Sequence, residues 1–196
     1  SFSDVVLELA RKYQLPIETL DGPQQERLRK QLSRREQLHR VLTLAAGWFR
    51  SQLRASDGAA ALAYLRDSRG LSEATLEAFE LGFAPDRWDG LLSHLQQVEG
   101  LGPELLEAAG LVVPRKGGDG FYDRFRGRVM VPIKDRQGRV IGFGGRSLDG
   151  GEPKYLNSPE TEVFEKGKHL FGLDKASTAI RKDDRAVVVE GYFDVI

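Results

Sequence analysis

Arg128-Val129-Met130-Val131-Pro132-Ile133-Lys134, then Asp135-Arg136-Gln137-Gly138, then Arg139-Val140-Ile141-Gly142-Phe143, is the stretch on which the fold turns. Val129, Val131 and Ile133 alternate with Arg128, Met130 and Lys134, the period of a strand with one apolar face. Asp first and Gly last over residues 135–138 is the chemistry of a type I turn, so residues 139–143 are predicted to return as an antiparallel partner.

Upstream of this hairpin the pattern is helical. Residues 2–13 carry Phe2, Val5, Val6, Leu9 and Ala10 on one face, with Ser3 as a cap and Pro16 beyond the end. Residues 23–37 are polar and charged, and are predicted to form a partly helical, poorly packed linker. Leu38, Val41, Leu42, Ala45, Trp48 and Phe49 then make one apolar stripe over residues 38–53. A helix over 58–66 follows, then a turn at Arg69-Gly70 and a helix opened by Ser72. Leu71, Leu76, Phe79 and Leu81 read as core, Trp88, Leu91, Leu92 and Leu95 as a further helix through Gln97, and residues 105–109 as the last.

Downstream, residues 149–162 read as a long polar loop and residues 173–182 as a helix. Ala186-Val187-Val188-Val189, ending at Glu190-Gly191, is the uninterrupted β-branched run of a strand buried on both faces, as in a parallel sheet. Such a strand needs neighbours that no later segment here supplies, so the sequence reads as ending inside a second domain. The fold class is α+β.

The chain of 196 residues has no cysteine, which excludes disulfides and thiolate zinc sites built from it. No apolar run approaches the roughly 18 residues of a membrane span, and the first residues lack a signal-peptide layout, so a cytoplasmic protein is expected. The zero net charge hides an asymmetry. Residues 1–114 carry 13 Lys+Arg against 16 Asp+Glu, and residues 115–196 carry 16 against 13. Between Arg115 and Arg146 nine basic residues face only three Asp. That run is either a solvated strand face or the contact for a polyanion.

Glu190 stands where the apolar run ends and Gly191 lets the chain turn. A carboxylate at the carboxyl end of a parallel strand suits a divalent-metal ligand or a proton carrier beside phosphate, or else it caps the next helix. Gly142-Phe143-Gly144-Gly145-Arg146 lacks both the third spaced glycine of a dinucleotide loop and the lysine of a P-loop. Its glycines are instead expected to let a nucleic-acid or triphosphate backbone approach, with Arg146 projecting from the strand end. His39, His94 and His169 show no metal-ligand spacing.

Glu190-Gly191-Tyr192-Phe193-Asp194-Val195 resembles the glutamate motif that opens the Toprim domain of bacterial DNA primases. Tyr122-Asp123-Arg124-Phe125-Arg126, the hairpin through Arg146, and Pro153-Lys154-Tyr155-Leu156-Asn157-Ser158-Pro159-Glu160-Thr161 resemble the basic region of the same family, in the same order. Arg69-Gly70-Leu71-Ser72 and Leu81-Gly82-Phe83-Ala84-Pro85 with Trp88-Asp89 are similar to its helical part, and residues 2–16 to the tail of its zinc-binding domain.

The resemblance implies four divisions: residues 1–22 as that tail, 23–37 as linker, 38–183 as the basic subdomain of the catalytic core, and 184–196 as the start of the Toprim domain. It implies a nucleotidyltransferase that makes short RNA primers on single-stranded DNA from ribonucleoside triphosphates, passing through an RNA–DNA hybrid. The implied catalytic residue is Glu190, with Glu190 and Asp194 as ligands of Mg²⁺ or Mn²⁺ whose other ligands lie outside this chain. Zn²⁺ is implied only for the N-terminal domain. The implied nucleotide and template contacts are Arg69, Arg124, Arg126, Arg146, Lys154, Tyr155, Asn157 and Lys166. A replicative helicase partner outside these residues, a monomer, no membrane, and inactivity of the isolated chain are also expected. Two other readings stay open: another Toprim enzyme such as a topoisomerase or nuclease, and a non-catalytic single-strand binding module.

Overall fold

In the computed structural model, which describes residues 22–196, the polar stretch and the apolar stripe that follows it form one unbroken helix, α1 (Gly22–Arg54). Gln, Glu, Arg, Lys and Leu are good helix formers, and Glu26 pairs with Lys30 one turn on at 2.8 Å. Residues 23–37, expected as a partly helical linker, are therefore helical throughout. Leu38–Ile196 is one compact unit and the residues before Leu38 are another. The helix expected over residues 2–13 lies outside the described residues.

Within the Leu38–Ile196 unit, Leu38, Val41, Leu42, Ala45, Phe49 and Leu53 of α1 are buried at helical spacing. A 3-10 turn (Ser56–Gly58), α2 (Ala59–Ala63), a π-helical turn (Tyr64–Ser68) and α3 (Glu73–Ala78) follow. Ser72 caps α3 as expected, its hydroxyl accepting from the Thr75 N–H at 3.1 Å. After β1 (Gly82–Ala84) come α4 (Gly90–Glu99) and α5 (Pro103–Ala108). Trp88, expected to lead α4, stands before it and is 51% exposed.

The predicted hairpin is β4 (Arg128–Lys134) and β5 (Val140–Ser147), after a small ribbon of β2 (Val112–Pro114) with β3 (Phe121–Asp123). Asp135 closes the hairpin turn. Its carbonyl accepts from the Gly138 N–H at 2.9 Å, and its carboxylate accepts from the Gln137 and Arg139 N–H groups at 3.0 and 2.9 Å. The main sheet is antiparallel in the order β1-β4-β5-β6, where β6 (Tyr155–Asn157) lies inside the segment expected to be a loop. That strand forms because Ser158 stitches it to β5: its N–H donates to the Phe143 carbonyl at 2.8 Å, and its hydroxyl accepts from the Phe143 N–H at 2.9 Å.

Both faces of this sheet are covered, so alternation does not divide a buried face from a wet one. Val129 and Val131 pack with Leu53, Leu65, Leu76 and Leu81 on one side. Met130, wholly buried, packs with Leu42, Phe49 and Phe143 on the other. Ile133 joins Met130 rather than Val129 and Val131, at the point where the register with β5 shifts. A further 3-10 turn (Lys166–Lys168), α6 (Leu173–Asp183) and a single turn, α7 (Tyr192–Val195), complete the order.

The strand expected over residues 186–189, ending at Glu190, is absent here. Residues 186–189 have no regular secondary structure, and Val187 and Val188 are 79% and 80% exposed. A strand exists only where another strand takes its hydrogen bonds, and among the described residues no strand pairs with these.

Candidate nucleic-acid interface

Aromatic rings and arginines from four separate segments alternate in one row. The Arg69 guanidinium carbon lies 4.7 Å from the Phe193 ring centroid and 5.4 Å from that of Tyr64. That of Arg146 lies 5.2 Å from the Tyr64 centroid and 5.3 Å from that of Tyr155. The order Phe193, Arg69, Tyr64, Arg146, Tyr155 is thus a ladder of cation–π contacts, tied by hydrogen bonds from Arg69 Nε to the Tyr64 hydroxyl (2.5 Å) and from Arg146 Nη1 to the Tyr155 hydroxyl (2.7 Å).

Tyr155 also lines a groove of about 690 Å³ together with Asn157, Lys166, Glu190, Tyr192 and Asp194. Asn157 is its best-fixed polar group. Its Oδ1 accepts from the Tyr192 hydroxyl at 2.9 Å, and its backbone carbonyl accepts from Arg124 Nη2 at 3.1 Å. Burial holds the Arg124 guanidinium below its ordinary value, and it remains a cation.

Arg126 stands in a second group. Trp88 and Tyr122 are stacked, centroids 4.8 Å apart, and the Arg126 guanidinium lies 4.9 and 5.1 Å from the two rings, with Arg115 5.9 Å from Trp88. Asp123 organises this patch. Its N–H donates to the Trp88 carbonyl at 2.8 Å, its carbonyl accepts from Arg126 Nη1 at 2.5 Å, and its carboxylate accepts from the Leu91 and Leu92 N–H groups at 2.7 and 3.0 Å. The carboxylate thereby fastens the first turn of α4.

The basic run divides by what holds each cation. Lys134 pairs with Glu80 and Arg139 with Asp135, while Arg128 is buried on the Pro153 and Gly145 carbonyls. Among the described residues, the expected contacts Arg69, Arg124, Arg126, Arg146, Lys154 and Lys166 are in no such ion pair. Lys154 is exposed on the loop before β6 and belongs to neither group. The glycines of β5, expected to admit a ligand backbone, are filled by the protein itself. A Cβ on Gly144 would lie 2.5 Å from the Tyr192 ring, one on Gly142 3.1 Å from Ser158, and one on Gly145 3.0 Å from Phe125.

Glu190 is exposed at the groove, and Asp194 Oδ2 accepts from the Gly191 N–H at 2.8 Å, capping α7. Among the described residues no three His, Cys, Asp or Glu side chains come together as metal ligands. The described residues therefore do not complete a metal centre. No helix among them is long and apolar enough to cross a membrane.

The family model described as the DNA primase catalytic core, N-terminal domain, matches residues 48–177. The chain belongs to this DNA primase family. It is 60% identical over 196 residues to the DNA primase of Synechococcus elongatus, covering all of this chain and 28% of that protein. A solved DnaG primase catalytic domain bound to single-stranded DNA is 42% identical, with a TM-score of 0.75, over 84% of this chain and 50% of that one. The Aquifex aeolicus primase, comprising zinc-binding and RNA polymerase domains, is 33% identical with a TM-score of 0.72, over 99% of this chain and 44% of that one. The chain thus spans under a third of the Synechococcus primase. Its helices and antiparallel sheet are the α+β architecture of the primase catalytic cores.

Within this primase fold, Tyr64, Phe193, Trp88, Tyr122, Tyr192 and Asp123 were not legible as site residues from sequence. Trp88 beside Arg87, and Tyr122 two residues before Arg124, were the available signal, since aromatic residues interleaved with cations mark single-strand contacts. For Tyr64 there was none.

Proposed function

We propose that this chain is the N-terminal part of the catalytic core of a bacterial primase, which makes short RNA primers on single-stranded DNA from ribonucleoside triphosphates. The observation that carries the reading is the unpaired-cation ladder of Arg69 and Arg146 meeting, at Tyr155, the groove lined by Asn157, Lys166 and Glu190. Nucleotidyl transfer needs fixed positive charge around a triphosphate and a carboxylate at the reacting end.

In this reading Arg69, Arg146 and Lys166 neutralise phosphate charge, Asn157 donates from its amide nitrogen, and Tyr155 offers a ring edge at the mouth of the groove. Lys154 meets ligand from the flanking loop. Glu190 is the catalytic carboxylate and, with Asp194, this chain's contribution to a Mg²⁺ or Mn²⁺ site completed outside these residues. Such ions, when bound, supply charge stabilisation and nucleophile activation. The Trp88–Tyr122 stack with Arg126 and Arg115 is a base-stacking track for the template, to which Arg124 adds charge near Asn157. Supporting it, a similar primase core has been solved with single-stranded DNA.

The same reading assigns residues 1–22 to the zinc-binding part, supported by the Aquifex primase, which covers 99% of this chain. It places residues 23–37 as a connecting helix, 38–183 as the basic subdomain and 184–196 as the start of a Toprim domain, where residues 186–190 gain strand partners. Zinc, the replicative helicase contact and a cytoplasmic setting belong to the whole protein in this proposal, which acts as a monomer.

The test is RNA synthesis on single-stranded DNA with ribonucleotides and Mg²⁺ by the full-length parent, compared with Glu190→Gln and Arg146→Ala. The parent makes short RNA, and both variants lose it while keeping wild-type unfolding curves. A parent that makes no RNA and instead relaxes or cleaves DNA sinks the reading.

A further inference from the structure

Several exposed arginines of this unit are held by carboxylates. Arg54 and Arg66 share Glu73, Arg87 pairs with Asp57, and Arg139 pairs with Asp135. Arg69 and Arg146 have no carboxylate partner among the described residues. They are held by phenol oxygens and ring faces, which fix a guanidinium without cancelling its charge and leave N–H groups for an anion. Arg69 gives only Nε to its phenol, and Arg146 only Nη1.

One ring serves both arginines. Tyr64 has the Arg69 and Arg146 guanidinium carbons 5.4 and 5.2 Å from its centroid, and its hydroxyl accepts from Arg69 Nε. The backbone is irregular at this point. The Arg69 N–H donates to the Tyr64 carbonyl at 3.1 Å, an i to i+5 bond that closes the π-helical turn Tyr64–Ser68. In a regular α-helix residues five apart project about 140° from each other, and Arg69 would swing away from the ring. Such π-turns are frequent at functional sites.

We infer that Tyr64 is the positioning residue that holds Arg69 and Arg146 as one preorganised clamp for the phosphate chain of a nucleoside triphosphate. The inference rests on the proposed function, which makes those two arginines phosphate contacts. Tyr64 itself touches no ligand. It removes the ordering cost of two long side chains before the anion arrives, which is where preorganisation raises affinity.

The experiment is calorimetric titration of the 196-residue chain with inorganic tripolyphosphate. Arg69→Ala and Arg146→Ala each weaken binding about tenfold, as charge-assisted contacts do. Tyr64→Leu weakens it to a similar degree, and Tyr64→Phe, which keeps the ring and loses the hydroxyl, by about threefold. In the Arg69→Ala/Arg146→Ala background, Tyr64→Leu has no further effect, because a residue acting only through the arginines cannot add to their loss. The ¹⁵N spectrum gives a second readout: the Arg69 Nε–H resonance shifts in Tyr64→Phe while the rest of the spectrum stays.

If the arginine variants lose affinity and both Tyr64 variants bind as wild type, the positioning role is overturned and the phosphate site stands. An effect of Tyr64→Leu that persists undiminished in the double-arginine background overturns it equally, because it marks a general structural role. Arginine variants that bind as wild type remove the phosphate reading and the clamp with it. Should Tyr64→Leu fail to fold, Tyr64→Phe and its spectrum decide alone.

Discussion

The Tyr192 hydroxyl donates to Asn157 Oδ1 across 2.9 Å, joining the residue two places after Glu190 to the strand that carries Tyr155. Its ring lies on β5 at Gly144, where a Cβ would come within 2.5 Å of it. Burial pushes the Tyr192 hydroxyl up to about 12. One side chain thus sets where the Glu190 segment meets the basic sheet, and it fixes the Asn157 amide with its nitrogen as the unengaged end.

Tyr192→Phe removes that hydrogen bond and keeps the packing, so urea unfolding shows a loss of about 1 kcal/mol. Gly144→Ala drives a methyl into the ring and costs more, about 1–3 kcal/mol. A Gly144→Ala protein as stable as wild type, with the Tyr192 signals unmoved, shows that the contact is loose and the link between the two segments unimportant.

Asp123 gives the fold a pH dependence of opposite sign to that of a surface-paired carboxylate. Burial pushes its carboxyl up to about 6, outweighing the Leu91 and Leu92 N–H donors, with nearby Asp89 raising it further and Arg126 opposing. Its folded value lies above the unfolded one near 3.8, so the native state binds the proton more tightly. The stability this confers is fully present below the unfolded value and is lost as pH rises through about 6. Relative to Asp123→Asn, the wild type therefore loses up to about 3 kcal/mol between pH 4 and pH 7. Parallel stability profiles for the two proteins in urea over that window would exclude the assignment.

The Trp88 patch separates stacking from charge. Trp88→Ala weakens binding of single-stranded DNA by about 1–3 kcal/mol and leaves the salt slope unchanged, since stacking releases no counterions. Arg126→Ala weakens binding less at high salt than at low, and lowers the slope of log K against log salt by about 0.7. Fluorescence titrations at several salt concentrations read both. Equal effects of the two variants on the slope contradict this division of labour.

The α1 core is a control for stability without function. Phe49 is buried against Phe143 and Trp48, with ring centroids 5.3 and 5.4 Å away. Phe49→Ala leaves a cavity costing about 3–5 kcal/mol, read as a lower urea midpoint. Tripolyphosphate affinity, measured where the variant is still folded, stays at wild type. A parallel loss of affinity means that the ladder depends on this core.

What the sequence determined by itself was local or periodic. The stripe from Leu38 to Phe49, the Ser72 cap, and the Asp135 turn with its two strands depend on residues a few positions apart, whose spacing sequence displays directly. The family resemblance likewise rested on ordered runs of neighbours. Tertiary structure decided what depended on distant partners. β6 exists because Ser158 reaches Phe143, and Met130 is buried because helices cover both faces of its sheet. Gly142, Gly144 and Gly145 make room for Ser158, Tyr192 and Phe125 rather than for a ligand. Tyr64 meets Arg69 through a helix irregularity that no periodicity encodes, and meets Arg146 from far along the chain. Residues 186–190 show the reverse case: the β-branched run carries the propensity of a strand, but a strand's hydrogen bonds belong to its neighbours, and propensity alone cannot supply them.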